Sequence, residues 1–484
     1  MKIQEKIYRR IDANKGEMIK TLQALISIPS VVTEAEEDMP FGKNVHEAFS
    51  YMIKKAEQEG FTVFNADNYG GHIEFGGSVS DDAVKEGSSI TGGCMGIVGH
   101  LDVVPEGGDW SYDPYGGEIA DGKLYGRGAI DDKGPVISAF YAMKAIKEAG
   151  IMPRKKVRLI LGLDEETEWN GMRYYLKHTD APDLGFTPDS EFPAIHGEMG
   201  LIFFDIAKKL NPSHDSGLEL RSLKGGNAPN MVADHARAVV FDPDPHCYEI
   251  IRSKAGKFCE EKNVKISCKK LGKSLEITVK GKSAHGSRPA TGVNAISIMM
   301  DFLGRLDLVS DDISDFIQFY NKHIGYELDG SSLGVGLEDE PSGKLIFNVG
   351  KVDLGRRAVK LTVNIRYPVT FHVDEVYGAM MPVLDRYELG VVKGKYEAPK
   401  YLPADDPFIV TLMDIYREHT GDTDSKPMVI GGGTYARMFD NCVAFGSSFP
   451  GDREIAHQKN EFIRTDDLMQ ITRIYADTIY RLTK

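Results

Sequence analysis

At 484 residues the chain is long enough for two or three domains, and 42% hydrophobic with 27% charged residues is the balance of a globular protein. A net charge of -14 argues against a nucleic-acid backbone binder, which needs clustered Lys and Arg. Five scattered cysteines (Cys94, Cys247, Cys259, Cys268, Cys442) with no CxxC pair argue against a disulfide framework or a cysteine-type zinc site.

The N-terminal Met1-Lys2-Ile3-Gln4-Glu5-Lys6 carries both charge signs and no apolar run, so no signal peptide is expected. No stretch approaches membrane-spanning length, and a cytoplasmic protein without membrane partners is the expectation. Residues 5–27 carry Met18, Leu22, Leu25 and Ile26 at helical spacing, and a second helix is predicted over 45–59, closed by Gly60. Residues 61–63 and 72–75 alternate like strands, and the polar, glycine-rich stretch 78–93 reads as a surface hairpin or loop. Met95-Gly96-Ile97-Val98 is a short apolar strand running into His100-Leu101-Asp102-Val103-Val104-Pro105. Residues i and i+2 of a strand point the same way, so Asp102 can back the His100 imidazole.

A hairpin with an Asp121-Gly122 turn is predicted over 117–125, followed by Gly126-Arg127-Gly128-Ala129-Ile130-Asp131-Asp132-Lys133-Gly134-Pro135 and a helix through Ala149. Residues 157–163 form a buried strand ending at Asp164-Glu165-Glu166; a short helix over 171–178 follows, then a strand ending at Pro188-Asp189. Strands alternating with helices predict an α/β/α layer arrangement around a mainly parallel sheet, whose chemistry gathers at the carboxyl ends of the strands. After Gly200 the rhythm changes: strands over 275–279 and 360–365 with helices over 294–308 and 373–385 read as an inserted α+β module. From about Lys400 the earlier style returns, with a helix over 408–418, the run Gly431-Gly432-Gly433, a strand near Val443 and Ala456-His457-Gln458-Lys459-Asn460-Glu461. The domains are therefore expected as 1–199 with 398–484, and 200–397.

Taken singly, these polar residues have ordinary uses. Asp131-Asp132 suits a helix N-cap, Glu165-Glu166 a solvated loop, Asp189 a turn and His457 a surface. Their joint placement is what points to a site: His100, Glu165, Glu166 and Asp189 fall at strand ends, and an α/β sheet would bring the set together. His100, Asp131, Glu166, Asp189 and His457 make a mixed N/O donor set suited to Zn²⁺ or another first-row divalent ion. Two ions carry four positive charges; three carboxylates and a hydroxide balance them, which burial requires. Glu165 is then the spare carboxylate that hydrolysis needs as a general base.

These motifs, in this order along essentially the whole chain, resemble the co-catalytic zinc metallopeptidases. That superfamily includes aminoacylases, carnosinase, glutamate carboxypeptidases and the bacterial peptidase V-type (Xaa-His) dipeptidases. The resemblance implies a zinc-exopeptidase-like catalytic domain with an inserted lid and two divalent ions, zinc first, with manganese or cobalt as alternatives. It implies that Asp131 bridges both ions, with His100 and Asp189 on one and Glu166 and His457 on the other. Asp102 would stand behind His100, Glu165 would be the base, and the Asp131–Asp132 peptide bond would be cis. On the inserted module, Gly281-Lys282-Ser283-Ala284-His285-Gly286-Ser287-Arg288-Pro289 resembles the lid's histidine motif, and His285 would stabilise the oxyanion. Asn230 and Arg366 match substrate-holding positions, Arg366 suiting a free carboxylate, and Gly432, Gly433 and Thr434 resemble a further substrate loop. For His285 a surface turn, and for Arg366 a strand ion pair, are the alternatives that the residues alone favour.

Within the superfamily, the Asp-Asp-Lys-Gly-Pro helix start, Glu165-Glu166-Thr167-Glu168-Trp169 and the long lid favour a dipeptidase acting on small peptides. An N-acyl-amino-acid deacylase or aminotripeptidase is the nearest alternative, and a non-catalytic peptide-binding protein a more distant one. The lid of nearly two hundred residues resembles that of peptidase V, which implies a monomer, with dimerisation through the lid as the alternative. The stretches 78–93 and Leu337-Glu338-Asp339-Glu340 match nothing assignable.

Overall fold

The computed structural model describes residues 2–77, 93–211, 216–453 and 455–484. The polar stretch expected to form a loop over 78–93 lies, apart from Gly93, outside the described residues. Two compact units emerge: Met1–His196 with Leu402–Met428 and Gly433–Lys484, and Gly197–Tyr401 with Val429–Gly432.

The first unit opens with α1 (Ile3–Ile26) and α2 (Lys43–Gln58), the latter closed by Gly60 at φ 71°. Then come β1 (Thr62–Asn65), β2 (Gly71–Gly76), β3 (Cys94–His100), the hairpin β4 (Ile119–Ala120) and β5 (Lys123–Tyr125), and α3 (Lys133–Glu148). The hairpin turn uses Asp121 and Gly122 at φ 50° and 73°, the left-handed pair that a two-residue turn between twisted strands requires. β6 (Lys156–Gly162), α4 (Asn170–His178), β7 (Leu184–Thr187) and β8 (Ala194–Glu198) complete this stretch.

The second unit runs from β9 (Gly200–Lys209) through β10 (Glu219–Gly225), β11 (His235–Phe241), α5 (Cys247–Lys262), β12 (Lys265–Leu271) and β13 (Ser274–Lys280). It continues with α6 (Ala295–Leu303), α7 (Asp311–His323), the small hairpin β14 (Glu338–Asp339) and β15 (Gly343–Lys344), β16 (Ile346–Leu354), β17 (Ala358–Tyr367), α8 (Val373–Arg386) and β18 (Gly390–Glu397). The chain closes with β19 (Lys400–Tyr401), α9 (Pro407–Thr420), β20 (Met428–Ile430), β21 (Cys442–Phe445), β22 (Phe462–Arg464) and α10 (Thr465–Thr483).

The main sheet of the first unit has the order β1-β2-β6-β3-β7-β21-β8-β19. The expected parallel sheet is present at the centre, where β6, β3, β7 and β21 pair in parallel, and both flanks are antiparallel. Central parallel strands are covered on both faces, so they read as nearly continuous apolar runs, as Val157, Leu159, Ile160 and Leu161 do. On one face α3, itself buried nearly all round, packs with α1 and α10; on the other, Val98 and Ile160 meet Met172, Tyr175 and Tyr435. The layers are α/β/α.

The second unit is an antiparallel sheet in the order β12-β13-β11-β10-β16-β17-β9-β18. Strand alternation puts Val359, Leu361 and Val363 into its core, while Lys360 and Thr362 reach Asp205 on the other face. The helix predicted over 294–308 stops at Leu303. Asn294 caps it by accepting from Ile296 N, and near its far end the Met300 carbonyl accepts from both Gly304 N and Asn321 Nδ2. The unassigned acidic stretch is structural: Asp339 accepts from Ser342 N and Thr370 N, tying β14 to the turn after β17. Among the described residues no helix is long and apolar enough to cross a membrane.

Candidate active site

Parallel strands start their ends side by side, so the loops after β3, β6 and β7 share one edge of the sheet. His100 is the last residue of β3 and pairs across to Gly162, the last of β6. Asp164, Glu165 and Glu166 follow β6, Asp189 follows β7, Asp131 precedes α3 and His457 precedes β22. The five predicted metal ligands, His100, Asp131, Glu166, Asp189 and His457, meet there with Glu165 and Asp102.

Asp131 is the hub. Its Oδ1 lies 3.0 Å from His100 Nε2 and its Oδ2 3.0 Å from His457 Nε2. His457 Nε2 is also 2.8 Å from Glu166 Oε1, and Asp189 Oδ2 is 3.7 Å from His100 Nε2. His100, Asp131 and Glu166 bring ligand-type atoms within 4.8 Å of one another, and so do His100, Glu165 and Asp189. The Asp131–Asp132 peptide bond is cis.

Asp102 does more than the strand alternation predicts. β3 ends at His100, so the nearest partner of His100 Nδ1 is the Asp102 backbone carbonyl at 2.9 Å, with the carboxylate oxygen at 3.4 Å. That carboxylate instead accepts from Glu165 N at 3.1 Å and Glu166 N at 3.0 Å. Asp102 therefore holds the histidine and the acidic loop together.

Further residues of the same unit shape the site. Buried Glu461 pairs with buried Arg127 at 2.6 Å and accepts from Ile130 N and Asp131 N at 3.0 and 3.3 Å. Arg127 also donates to the carbonyls of His457 and Gln458, both at 3.3 Å. Lys133, fully buried, donates through Nζ to the Leu25 and Ile28 carbonyls at the end of α1. These three sit inside sequence motifs already singled out. Their pairing is invisible there because Arg127 and Glu461 are 334 residues apart.

Electrostatics follow from burying so many carboxylates. Burial, then the Asp131 charge, push Asp189 up to about 8; burial and neighbouring carboxylates likewise raise Glu165 and Glu166. Burial works against the charged form of Asp131, yet hydrogen bonds from His100 and His457 hold its carboxyl below the usual range. Burial opposes protonation of His457, but Asp131 and Glu166 lift it to about 11. Burial and the Asp131 charge raise Glu461 to about 7, and burial takes Lys133 down to about 7. Four crowded carboxylates around two imidazoles repel one another without a cation. The donor types are those that divalent first-row ions accept, so the residues fit a metal centre.

On the second unit, the segments of Asn230 and His285 lie beside each other. Gly286 N donates to the Asn230 carbonyl at 2.7 Å, and Met231 and His285 form a β-bridge. His285 Nδ1 is 2.6 Å from Ser287 Oγ. Buried Asn348 on β16 donates to the carbonyls of Pro229 and Met231, steadying the loop from below. Arg366 is buried on β17, and a Cβ added to Gly431 would come within 3.2 Å of Ser287 Cβ and 3.6 Å of Arg366 Cγ. In the same run, Gly432 belongs to the second unit and Gly433 to the first; Thr434 Oγ1 accepts from Ala436 N and caps a short turn.

The sequence profile of peptidase family M20/M25/M40 matches residues 96–481. A Bacillus subtilis protein named "Putative dipeptidase YtjP" is 36% identical over 474 residues, covering 97% of this chain and 98% of that protein. A similarly named dipeptidase of Staphylococcus haemolyticus is 34% identical over 479 residues, covering 98% of each. Human carnosine dipeptidase 1 has the same fold, with a TM-score of 0.55 at 15% identity over 100% of this chain and 99% of that one. So does the aminoacylhistidine dipeptidase of Vibrio alginolyticus, with a TM-score of 0.55 at 16% identity over 95% of each chain.

Proposed function

This chain belongs to peptidase family M20/M25/M40 and is a metal-using hydrolase of the peptidase class, and from that premise we propose a two-metal dipeptidase with Glu165 as its general base. The observation that supports the metal count is the splitting of Asp131, whose two oxygens face different imidazoles at 3.0 Å each. His100, Asp131 and Asp189 would hold one ion, and Asp131, Glu166 and His457 the other. Zinc is the first choice for the N/O donor set, with manganese or cobalt as alternatives. Bound there, such ions supply Lewis-acid polarisation of a carbonyl and lower the pKa of water.

Glu165 carries the proton in this reading. Its carboxylate takes one proton from the attacking water as the new C–O bond forms. It then returns that proton to the leaving amine nitrogen as the C–N bond breaks, so the base ends as it began. Asp102 keeps the Glu165 peptide in place, and Arg127 with Glu461 keeps Asp131 and the His457 loop in place. The dipeptide assignment is supported by the names of the relatives. Residues 200–397 would act as a lid, His285 as the oxyanion partner, Arg366 as the group that takes a free carboxylate, and Asn230, Gly432, Gly433 and Thr434 as substrate contacts.

The test is hydrolysis of dipeptides, tripeptides and N-acyl amino acids by metal-stripped protein resupplied with Zn²⁺, Mn²⁺ or Co²⁺. Two ions per chain and preference for dipeptides are expected; preference for N-acyl amino acids or tripeptides replaces the assignment with a deacylase or aminotripeptidase. Glu165→Ala should bind both ions and lose at least ~100-fold in kcat, the usual scale for a proton-transfer group. Full turnover in that variant removes Glu165 as the base.

A further inference from the structure

The Glu165 side chain is the proton carrier proposed above, yet its backbone is held by more than Asp102. Its N–H is taken by the Asp102 carboxylate at 3.1 Å, and its carbonyl accepts from the Trp169 indole Nε1 at 2.6 Å. Both ends of the peptide segment that sets the Glu165 Cα are thus fixed by side chains. Trp169 itself sits at φ 59°, a left-handed conformation uncommon for an aromatic residue and one that a protein keeps only when the surroundings enforce it. Those surroundings are present. The Trp169 backbone N–H donates to the Asp164 carbonyl at 3.2 Å, and the Asp164 carboxylate accepts from Asn170 N and Gly171 N at 2.6 and 3.0 Å.

The indole has a brace. Tyr435, 1% exposed, meets the Trp169 ring edge-on at a centroid distance of 5.6 Å, and its hydroxyl is 3.5 Å from Asp164 Oδ1. Its seat is built by the sequence: a Cβ at Gly162, the last residue of β6, would lie 2.1 Å from the Tyr435 ring. Only glycine leaves room for the ring there. Tyr435 is also the residue after Thr434, at the end of the glycine run.

We propose that Trp169 is a positioning residue for Glu165, holding its carbonyl through the indole N–H, and that Tyr435 braces the indole from the glycine-run side. The inference rests on Glu165 being the base. A general base must lie within hydrogen-bond reach of the proton it takes, and small displacements of a reacting group are expensive in rate. Trp169 touches neither substrate nor metal in this proposal, so its loss should lower kcat and leave KM and metal content alone.

The test uses the metal-loaded protein with two replacements at residue 169. Trp169→Phe keeps an aromatic ring against Tyr435 and removes the N–H. Site-specific incorporation of 3-benzothienylalanine puts sulfur in place of the N–H at nearly unchanged shape, which guards against a folding defect in the first variant. Both should lower kcat about ten-fold, the scale of one lost neutral hydrogen bond, with KM within two-fold of the parent and the metal content unchanged. Tyr435→Leu should show the same split. An unchanged kcat in the benzothienyl protein overturns the proposal, and so does a loss of kcat accompanied by metal loss or a raised KM. Glu165→Ala measured alongside separates the two levels. If it is fully active, the base assignment falls; if it is inactive while the benzothienyl protein turns over normally, only the role of Trp169 falls.

Discussion

Asp131 uses each carboxylate oxygen on a different imidazole, and the neighbouring Asp189 and Glu166 are pushed toward protonation by burial and by that same charge. With Asp189 raised to about 8 and His457 to about 11, the metal-free centre near neutral pH stores protons on groups that would have to give them up to a cation. Metal affinity should therefore rise between pH 6 and pH 8, with protons released on binding. Titration calorimetry in two buffers of different ionisation enthalpy reads that release directly. Affinity and heat that do not change with pH or buffer would show that these groups are not the ligands. The residue types at the centre were legible in the sequence because each stands in a short motif: His100, Glu165, Glu166 and Asp189 at or just after strand ends, Asp131 before a helix and His457 in the loop before β22. The use of Asp102 was not, because its carboxylate bonds to Glu165 N and Glu166 N, 63 and 64 residues away.

Between elements, the loop before α3 and the loop before β22 are joined by Arg127 and Glu461, both buried. A buried pair adds little net stability over an apolar substitute, but breaking it leaves one charge without a partner. Arg127→Met should cost up to about 3–5 kcal/mol in urea unfolding, because Glu461 must stay buried beside Asp131 without its partner, as an unpaired charge or by taking up a proton. Arg127→Met combined with Glu461→Gln should recover a large part of that cost, and a double variant as unstable as the single one would mean the pair is not what stabilises the loops. Activity should fall in both variants: each loses the Arg127 donors to the His457 and Gln458 carbonyls, and in the double variant Ile130 N and Asp131 N also lose their charged acceptor. Element identities were largely readable, because hydrophobic periodicity is local: the hairpin at Asp121-Gly122 and the strands before His100 and Glu165 are where the pattern places them. Strand order is non-local and was not readable. β6 joins β3 from across α3, and β21 enters beside β7 from the far end of the chain.

Across the molecule, the two units have separate hydrophobic cores, one built around α1, α3 and α10 and the other around β16, β17 and helices α6 to α8. Every residue proposed as a metal ligand belongs to the first. A ligand stabilises what it binds, by about 2.7 kcal/mol at a free concentration one hundred times its Kd. Metal should therefore raise the unfolding temperature of the first unit and leave that of the second unchanged. The gain should also depend on pH. Asp189 at about 8 and Asp164 and Glu461 at about 7 are all raised in the folded chain above their unfolded values. A group raised in this way stabilises the fold fully below its unfolded pKa, near 4, and that contribution is lost as pH rises through the folded pKa, here near 7 to 8. His457 acts in the same direction at higher pH, its contribution fading above about 6.5 and gone beyond about 11. The metal-free first unit should then weaken steadily from pH 5 to pH 8, while a cation that neutralises the carboxylates removes the cause. Scanning calorimetry with and without Zn²⁺ should show a larger metal-induced shift at pH 8 than at pH 6. A shift that is the same at both pH values would mean that the cluster's repulsion is not relieved by the ion. One that moves both transitions together would mean that the two units unfold as one.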